Sequence, residues 1–203
     1  ITFDDVIDEI KSEADESLRQ ISGIDSDTFE KTSTAIKTRG FWLGTNLLTA
    51  LIAASVINIF KETLEQVIFL AVLMPIIASM GGVAATQTLT ITVRGLALGQ
   101  IVRANYLYIF NRELMVGISN GFIWAVILSL IACTWFQDWL LAWVICLSMI
   151  INLIAGVLSG MGIPILLKGL KMDPAVAGSV IVTTVTDVIG FFSFLGLATY
   201  FYS

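Results

Sequence analysis

Apolar residues run through this chain in long blocks separated by short polar connections, and the length of the blocks carries the first inference. The hydrocarbon core of a bilayer takes about 20 apolar residues of helix. Five stretches reach that length, at about 41–60, 66–93, 114–135, 140–167 and 174–202. The expected architecture is therefore all-α: a polytopic membrane protein with five transmembrane helices. The connections hold Lys61, Glu62 and Glu65, then Arg94, Arg103 and Arg112, then Gln137 and Asp138, then Lys168, Lys171 and Asp173. Sorting basic residues by side puts Lys31, Lys37, Arg39, Arg94, Arg103, Arg112, Lys168 and Lys171 on one face of the membrane and only Lys61 on the other. The basic face is expected in the cytoplasm, which places the N-terminus inside and the C-terminus outside. Trp42, Trp135, Trp139 and Trp143 fall near span ends, where amphipathic rings prefer to lie.

The start of the chain follows a different pattern. Phe3, Ile7, Ile10, Ala14, Leu18 and Ile21 recur at helical spacing, with carboxylates around the rest of the turn. Residues 1–39 are thus expected to form an acidic amphipathic cytoplasmic helix and linker ahead of a transmembrane pore domain at 40–203. Helices that lie on membranes are usually rich in Lys and Arg, because the cytoplasmic leaflet is negative. An acidic one calls for basic or cation-rich neighbours, and Asp4, Asp5, Asp8, Glu9 and Glu13 are candidate gating residues that would share divalent ions near a pore mouth.

Composition narrows the function classes. With 57% hydrophobic and 13% charged residues, the chain has too little polar surface for a water-soluble globule. Cys133 and Cys146 sit in apolar runs and there is no histidine, which argues against a disulfide framework or a Cys/His zinc site. Residues 1–20 show neither the basic start nor the apolar block of a cleavable signal peptide. No tandem repeat is visible, and five spans do not divide into inverted halves, which counts against an inverted-repeat carrier. No catalytic pair lies at membrane depth, so the chain is not expected to be an enzyme, and no nucleic-acid partner is expected.

Two spans carry the candidate chemistry. In "VIVTTVTDVIGFFSFLG", residues 180–196, Asp187 stands in the middle of an apolar run. A carboxylate there costs about 2.5–3.5 kcal/mol on insertion scales. Ser179, Thr183, Thr186, Asp187 and Gly190 share one helical face by their spacing, and no Lys, Arg or His lies at membrane depth to pair with the acid. A proton, water or a metal cation is left, and an all-oxygen environment suits hard cations, Mg²⁺ in particular. In "MPIIASMGGVAATQTLTITVRG", residues 74–95, Pro75 loosens the helix, and Gly81 and Gly82 open its surface. Ser79, Val83, Thr86 and Thr90 fall on one side, with Gln87 and Thr88 adding polar groups. Tight helix packing competes with a water-lined pathway as the account of that segment. Gly156, Ser159 and Gly160 read as a close helix contact, and Asn120 and Asn152 as isolated packing amides. One carboxylate is thin ligation for a divalent ion, whereas a two-fold dimer with the last span near its axis would bring two copies of Asp187 to one pathway.

The segments 74–101, 112–121 and 162–195 together resemble the transmembrane domain of the MgtE family of magnesium channels, in the family's order over essentially all of residues 40–203. The resemblance implies a five-helix protomer, a homodimer and a central pore lined by the second and fifth helices, with Mg²⁺ as the transported and regulatory ion. Membrane lipid and divalent cations are the other expected partners. The resemblance places the filter aspartate on Asp187, the ion-facing backbone carbonyl on Thr183, and an aspartate at the cytoplasmic mouth on Asp173. Ser179, Thr186 and Gly190 of the last helix and Ser79, Gly82, Val83, Thr86 and Thr90 of the second become the pore lining. The family's two asparagines in the second helix are replaced here by Val83 and Thr86. The expected function is a divalent-cation channel passing hydrated Mg²⁺ across the cell membrane of a bacterium or archaeon. The alternatives are a proton-coupled carrier using Asp187 and a non-transporting membrane subunit.

Overall fold

The computed structural model describes residues 31–170 and 174–202, and for 174–177 the backbone alone. Asp4, Asp5, Asp8, Glu9, Glu13 and Asp173 lie outside the described residues. Within them the elements are α1 (Thr32–Ile59), a short α2 (Lys61–Gln66), α3 (Phe69–Ala97), α4 (Tyr106–Phe136), α5 (Trp139–Gly169) and α6 (Pro174–Tyr202). Five of these are long and apolar enough to cross a membrane, α6 from Gly178 onward. The helices outrun the apolar blocks at several ends, because backbone hydrogen bonding continues beyond the hydrocarbon boundary. Thus α1 starts at Thr32 and joins residues 32–39 to the first span as one continuous helix.

Burial divides the spans sharply. In α5, 61% of the most apolar stretch is buried, whereas in α1 only 6% is. α5 is the hub, packed on α3, α4 and α6, while among the described residues α1 rests mainly on α6. The cause lies in the small residues of α5. A Cβ on Gly156 would come within 2.8 Å of the Gly81 carbonyl oxygen, and one on Gly160 within 2.5 Å of the Ala85 carbonyl oxygen, so the backbones of α3 and α5 are in direct contact. The pairs Gly81–Gly156 and Ala85–Gly160 ascend together, so α3 and α5 run parallel. Gly117 against Val157 and Gly121 against Leu153 show that α4 runs the opposite way.

The largest apolar cluster joins Leu70, Leu73, Met74 and Ile77 of α3 to Leu141, Val144 and Ile145 of α5 and to Phe194, Leu195 and Ala198 of α6. A second cluster, Ala85, Leu89 and Val93 with Val182, continues the α3–α6 contact toward the other end. The ends are tied by polar contacts. Lys168 Nζ donates to the Leu96 carbonyl at 3.1 Å, joining the C-termini of α5 and α3. At the opposite end the chain turns through Gln137, at φ 54° in the left-handed region, into Asp138. Asp138 caps α5 by accepting from the backbone N–H groups of Leu140 at 2.8 Å and Leu141 at 3.2 Å, and it also accepts from the Tyr202 hydroxyl. Burial pushes the Asp138 carboxyl up, but the hydrogen bonds from Tyr202, Leu141 and Leu140 outweigh it and hold the group below its ordinary range.

Candidate functional site

The outward side of α3 and the adjacent flank of α6 border an open cleft of about 680 Å³. Its walls are Ser79, Gly82, Val83, Thr86 and Thr90 of α3, with Gln87 and Ile91 beside them and Thr183 across from α6. All five α3 residues named from the sequence as lining meet in this one cleft. The fit follows from the helix repeat: positions three and four apart stack on one side, and the opposite side of α3 is occupied by the glycines of α5.

Each threonine hydroxyl here is already committed as a donor. Thr86 Oγ1 donates to the Gly82 carbonyl at 2.8 Å, Thr90 Oγ1 to the Thr86 carbonyl at 2.8 Å, and Thr183 Oγ1 to the Ser179 carbonyl at 2.9 Å. A hydroxyl has one proton and two lone pairs. With the proton turned back into the helix, these groups have acceptor capacity left for the cleft. Such a wall suits species that present hydrogens, water molecules polarised by a cation above all.

On α6 the predicted stripe splits. Thr183 faces the cleft, and Ser179 and Asp187 are half-buried. Among the described residues no Lys or Arg forms an ion pair with Asp187; the pairs present are Lys61–Glu65 and Arg112–Glu113. Thr186 is instead fully buried, and its hydroxyl donates to the Thr183 carbonyl at 2.8 Å. That carbonyl is also where the helix repeat directs the Asp187 N–H, so both of its acceptor directions are in use. Gly190 is buried too, covered by Asn152 of α5. Thr186 and Gly190 thus lie on the packed side of α6 in the protomer, away from the cleft.

Asn152, read from the sequence as an isolated packing amide, does pack by its amide, and it does so between helices. It is fully buried, and its Nδ2 donates to the Ile77 carbonyl of α3 at 2.8 Å. A Cβ on Gly81 would overlap Asn152 Nδ2, and one on Gly190 would meet it at 2.7 Å. One amide therefore fills the space left by two glycines on two different helices, and it fixes α3 against α6 just beyond the cleft. The two glycines were the available signal, although nothing in their local sequence says that they share a partner. Among the described residues no three acidic or cysteine side chains converge as a resident metal centre.

A family profile described as "MgtE: Divalent cation transporter" matches residues 74–197, which takes in both walls of the cleft. The chain is 34% identical over 203 residues to the magnesium transporter MgtE of Bacillus subtilis, covering 99% of this chain and 45% of that protein. It is 29% identical over 202 residues to the magnesium transporter MgtE of Enterococcus faecalis, covering 99% of this chain and 45% of the relative. The magnesium transporter MgtE of Thermus thermophilus is also 29% identical over 202 residues, covering 98% and 45%. The chain therefore spans about half the length of these relatives. With the family profile matched across the larger part of its length, this multi-pass membrane chain belongs to the MgtE family of divalent cation transporters.

Proposed function

We propose that the chain is the membrane pore of a magnesium channel, in which two copies meet along α3 and α6 and pass hydrated Mg²⁺ between them. The observation that carries this reading is the cleft of Ser79, Gly82, Thr86, Thr90 and Thr183, whose threonine hydroxyls donate to their own helices. Mg²⁺ keeps most of its water, and those waters point hydrogens outward at acceptors. A polar wall on the outside of a membrane helix is unfavourable against lipid, so a second copy closing over it by a two-fold axis accounts for its exposure. Asp187, one turn beyond Thr183 and without an ion-pair partner among the described residues, supplies the charge that attracts the ion. Because the Thr183 carbonyl already accepts from Thr186, its contact with the ion runs through a coordinated water. Asp173 and the acids Asp4, Asp5, Asp8, Glu9 and Glu13 would gather divalent ions at the cytoplasmic mouth and hold the pore shut when internal Mg²⁺ is high.

The test is Mg²⁺ uptake into vesicles containing the purified chain. Asp187→Asn keeps the shape and removes the charge, so Mg²⁺ uptake and preference over Na⁺ should both fall, by about tenfold for each 1.4 kcal/mol of lost ion attraction. Uptake with unchanged preference in that variant would remove Asp187 from the filter. Collapse of an imposed pH gradient on addition of Mg²⁺ would replace the channel by a proton-coupled carrier. Cysteines placed at Thr90, with Cys133 and Cys146 replaced, should crosslink two copies; failure of that crosslink in membranes would overturn the dimer.

A further inference from the structure

A second groove, of about 460 Å³, lies on the other side of α3, between it and α4 and floored by α5. Val83, Gln87 and Ile91 belong to both grooves, so α3 stands as a single ridge between them. The slot exists because α4 is drawn onto α5: a Cβ on Gly117 would meet Val157 at 2.5 Å, and one on Gly121 would meet Leu153 at 3.6 Å. α4 therefore sits close on α5 and barely touches α3.

The groove is graded along its length. Near the start of α4 it holds the side chain of Glu113, which is only 5% exposed. Beside it Arg112 is 63% exposed, with Nη1 at 3.5 Å from Glu113 Oε1. Asn120 follows on the same face of α4, about 10 Å further along the helix axis, with Gln87 and Thr88 opposite on α3. Beyond these the walls become apolar, with Met80, Trp124 and Leu153. A carboxylate offers about four acceptor directions. A single guanidinium nitrogen at 3.5 Å is beyond hydrogen-bond length and far from a bidentate fork, so among the described residues Glu113 keeps most of its acceptor capacity uncommitted, although little of its side chain is exposed.

We propose that this groove is a binding site for a phospholipid whose headgroup carries a phosphate and a primary ammonium, as in phosphatidylethanolamine. Arg112, beside the groove mouth at nearly the level of Glu113, meets the phosphate. Glu113 accepts from the three N–H donors of the ammonium. The amides of Gln87 and Asn120 reach the ester oxygens one level deeper, and an acyl chain lies over Met80 and Trp124. The match is in charge at one level, where the consecutive Arg112 and Glu113 meet the neighbouring phosphate and ammonium of a headgroup lying along the membrane surface, with the ester and acyl groups below. An anionic headgroup without an amine would set its charge against Glu113, and a trimethylammonium has no N–H to donate. The occupant would lie directly behind the α3 ridge, in contact with Gln87, which also lines the cleft.

Native mass spectrometry of the purified chain in mild detergent tests this, using phosphatidylethanolamine, phosphatidylcholine and phosphatidylglycerol of matched chain length. The unmodified chain should retain phosphatidylethanolamine about tenfold more strongly than phosphatidylcholine, a difference of about 1.4 kcal/mol. Glu113→Gln should abolish that preference while leaving phosphatidylglycerol retention undiminished, and Arg112→Gln should weaken retention of both phosphatidylethanolamine and phosphatidylglycerol. Equal retention of phosphatidylethanolamine and phosphatidylcholine by the unmodified chain overturns the proposal without reliance on any variant. So does efficient crosslinking of a cysteine at Val116 to a second copy, because the groove would then be filled by protein. Lipid retention is read without transport, so the result is independent of the channel reading.

Discussion

The two sides of α3 are built from nearly the same residues and meet opposite surroundings. On the buried side stand Gly81, Ala85, Thr88 and Thr92, and on the cleft side Ser79, Gly82, Thr86 and Thr90. Three of their hydroxyls behave alike: Thr92 donates to the Thr88 carbonyl at 2.7 Å, as Thr86 does to Gly82 and Thr90 to Thr86, each at 2.8 Å. The difference is across the way, where Gly156 and Gly160 bring the α5 backbone against one side and the described residues leave the other open. A threonine in a membrane helix therefore turns its hydroxyl proton back onto its own helix in either setting. Its presence announces either a close helix contact or a wet wall, and only the neighbour decides which.

The largest effect should come from adding bulk to each side in turn. Gly160→Leu drives a side chain into the Ala85 carbonyl, which a Cβ alone would approach to 2.5 Å, whereas a Cβ on Gly82 meets nothing within 4 Å. We expect Gly160→Leu to lose about 3 kcal/mol or more, seen as aggregation on detergent size exclusion. Gly82→Ala should run as the parent does and change only transport. A parent-like profile for Gly160→Leu would mean that the α3–α5 contact is softer than it looks.

A smaller effect is expected at the junction of the two sides. Gly81→Ala and Asn152→Ala should each lower thermal stability: the first displaces the Asn152 amide, and the second removes its 2.8 Å bond to Ile77. The bond alone is worth about 1 kcal/mol. The double variant should be less destabilised than the sum of the singles, because the new methyl at 81 occupies vacated space. Strict additivity would show that the two do not share a space.

Smaller again is the replacement of hydroxyls by methyls of similar shape. Thr86→Val with Thr90→Val should leave the melting temperature nearly unchanged and lower Mg²⁺ flux on the order of fivefold, equivalent to about 1 kcal/mol. Thr92→Val should leave flux alone. Equal flux loss from both would erase the distinction between the sides.

The smallest effect lies at the far end, away from both. Tyr202→Phe removes a donor to Asp138, whose carboxyl is held below its ordinary range. A depressed carboxylate contributes stability above its unfolded value of about 3.9 and loses it as pH falls through the lower folded value. The modest deficit of Tyr202→Phe at neutral pH should therefore fade in melting curves taken below about pH 4.

Much of this could be read from the sequence because it depends on local, additive quantities. Span number follows from how many consecutive apolar residues cross a fixed hydrocarbon thickness, and the five blocks became five long helices. The shared face of Ser79, Val83, Thr86 and Thr90 on α3 followed from spacing alone, since residues three and four apart stack whatever lies opposite. The resemblance to the MgtE family rested on ordered motifs that need no fold to be recognised. Helix ends were harder to read, because a helix continues past the apolar boundary wherever its backbone bonds do, as at Thr32–Arg39.

What the tertiary structure decided is which of two chemically similar surfaces becomes interior. Thr183 and Gly190 point in nearly the same direction around α6, as their spacing requires, yet Thr183 lines the cleft and Gly190 is buried. The reason is Asn152, whose amide reaches α6 at the level of Gly190 and extends to Gly81. Spacing fixes an angle about one helix axis, but burial depends on what a second and third helix place at that height. Those contacts join Asn152 to glycines far from it on either side along the chain, and no local pattern in α3, α5 or α6 encodes their meeting.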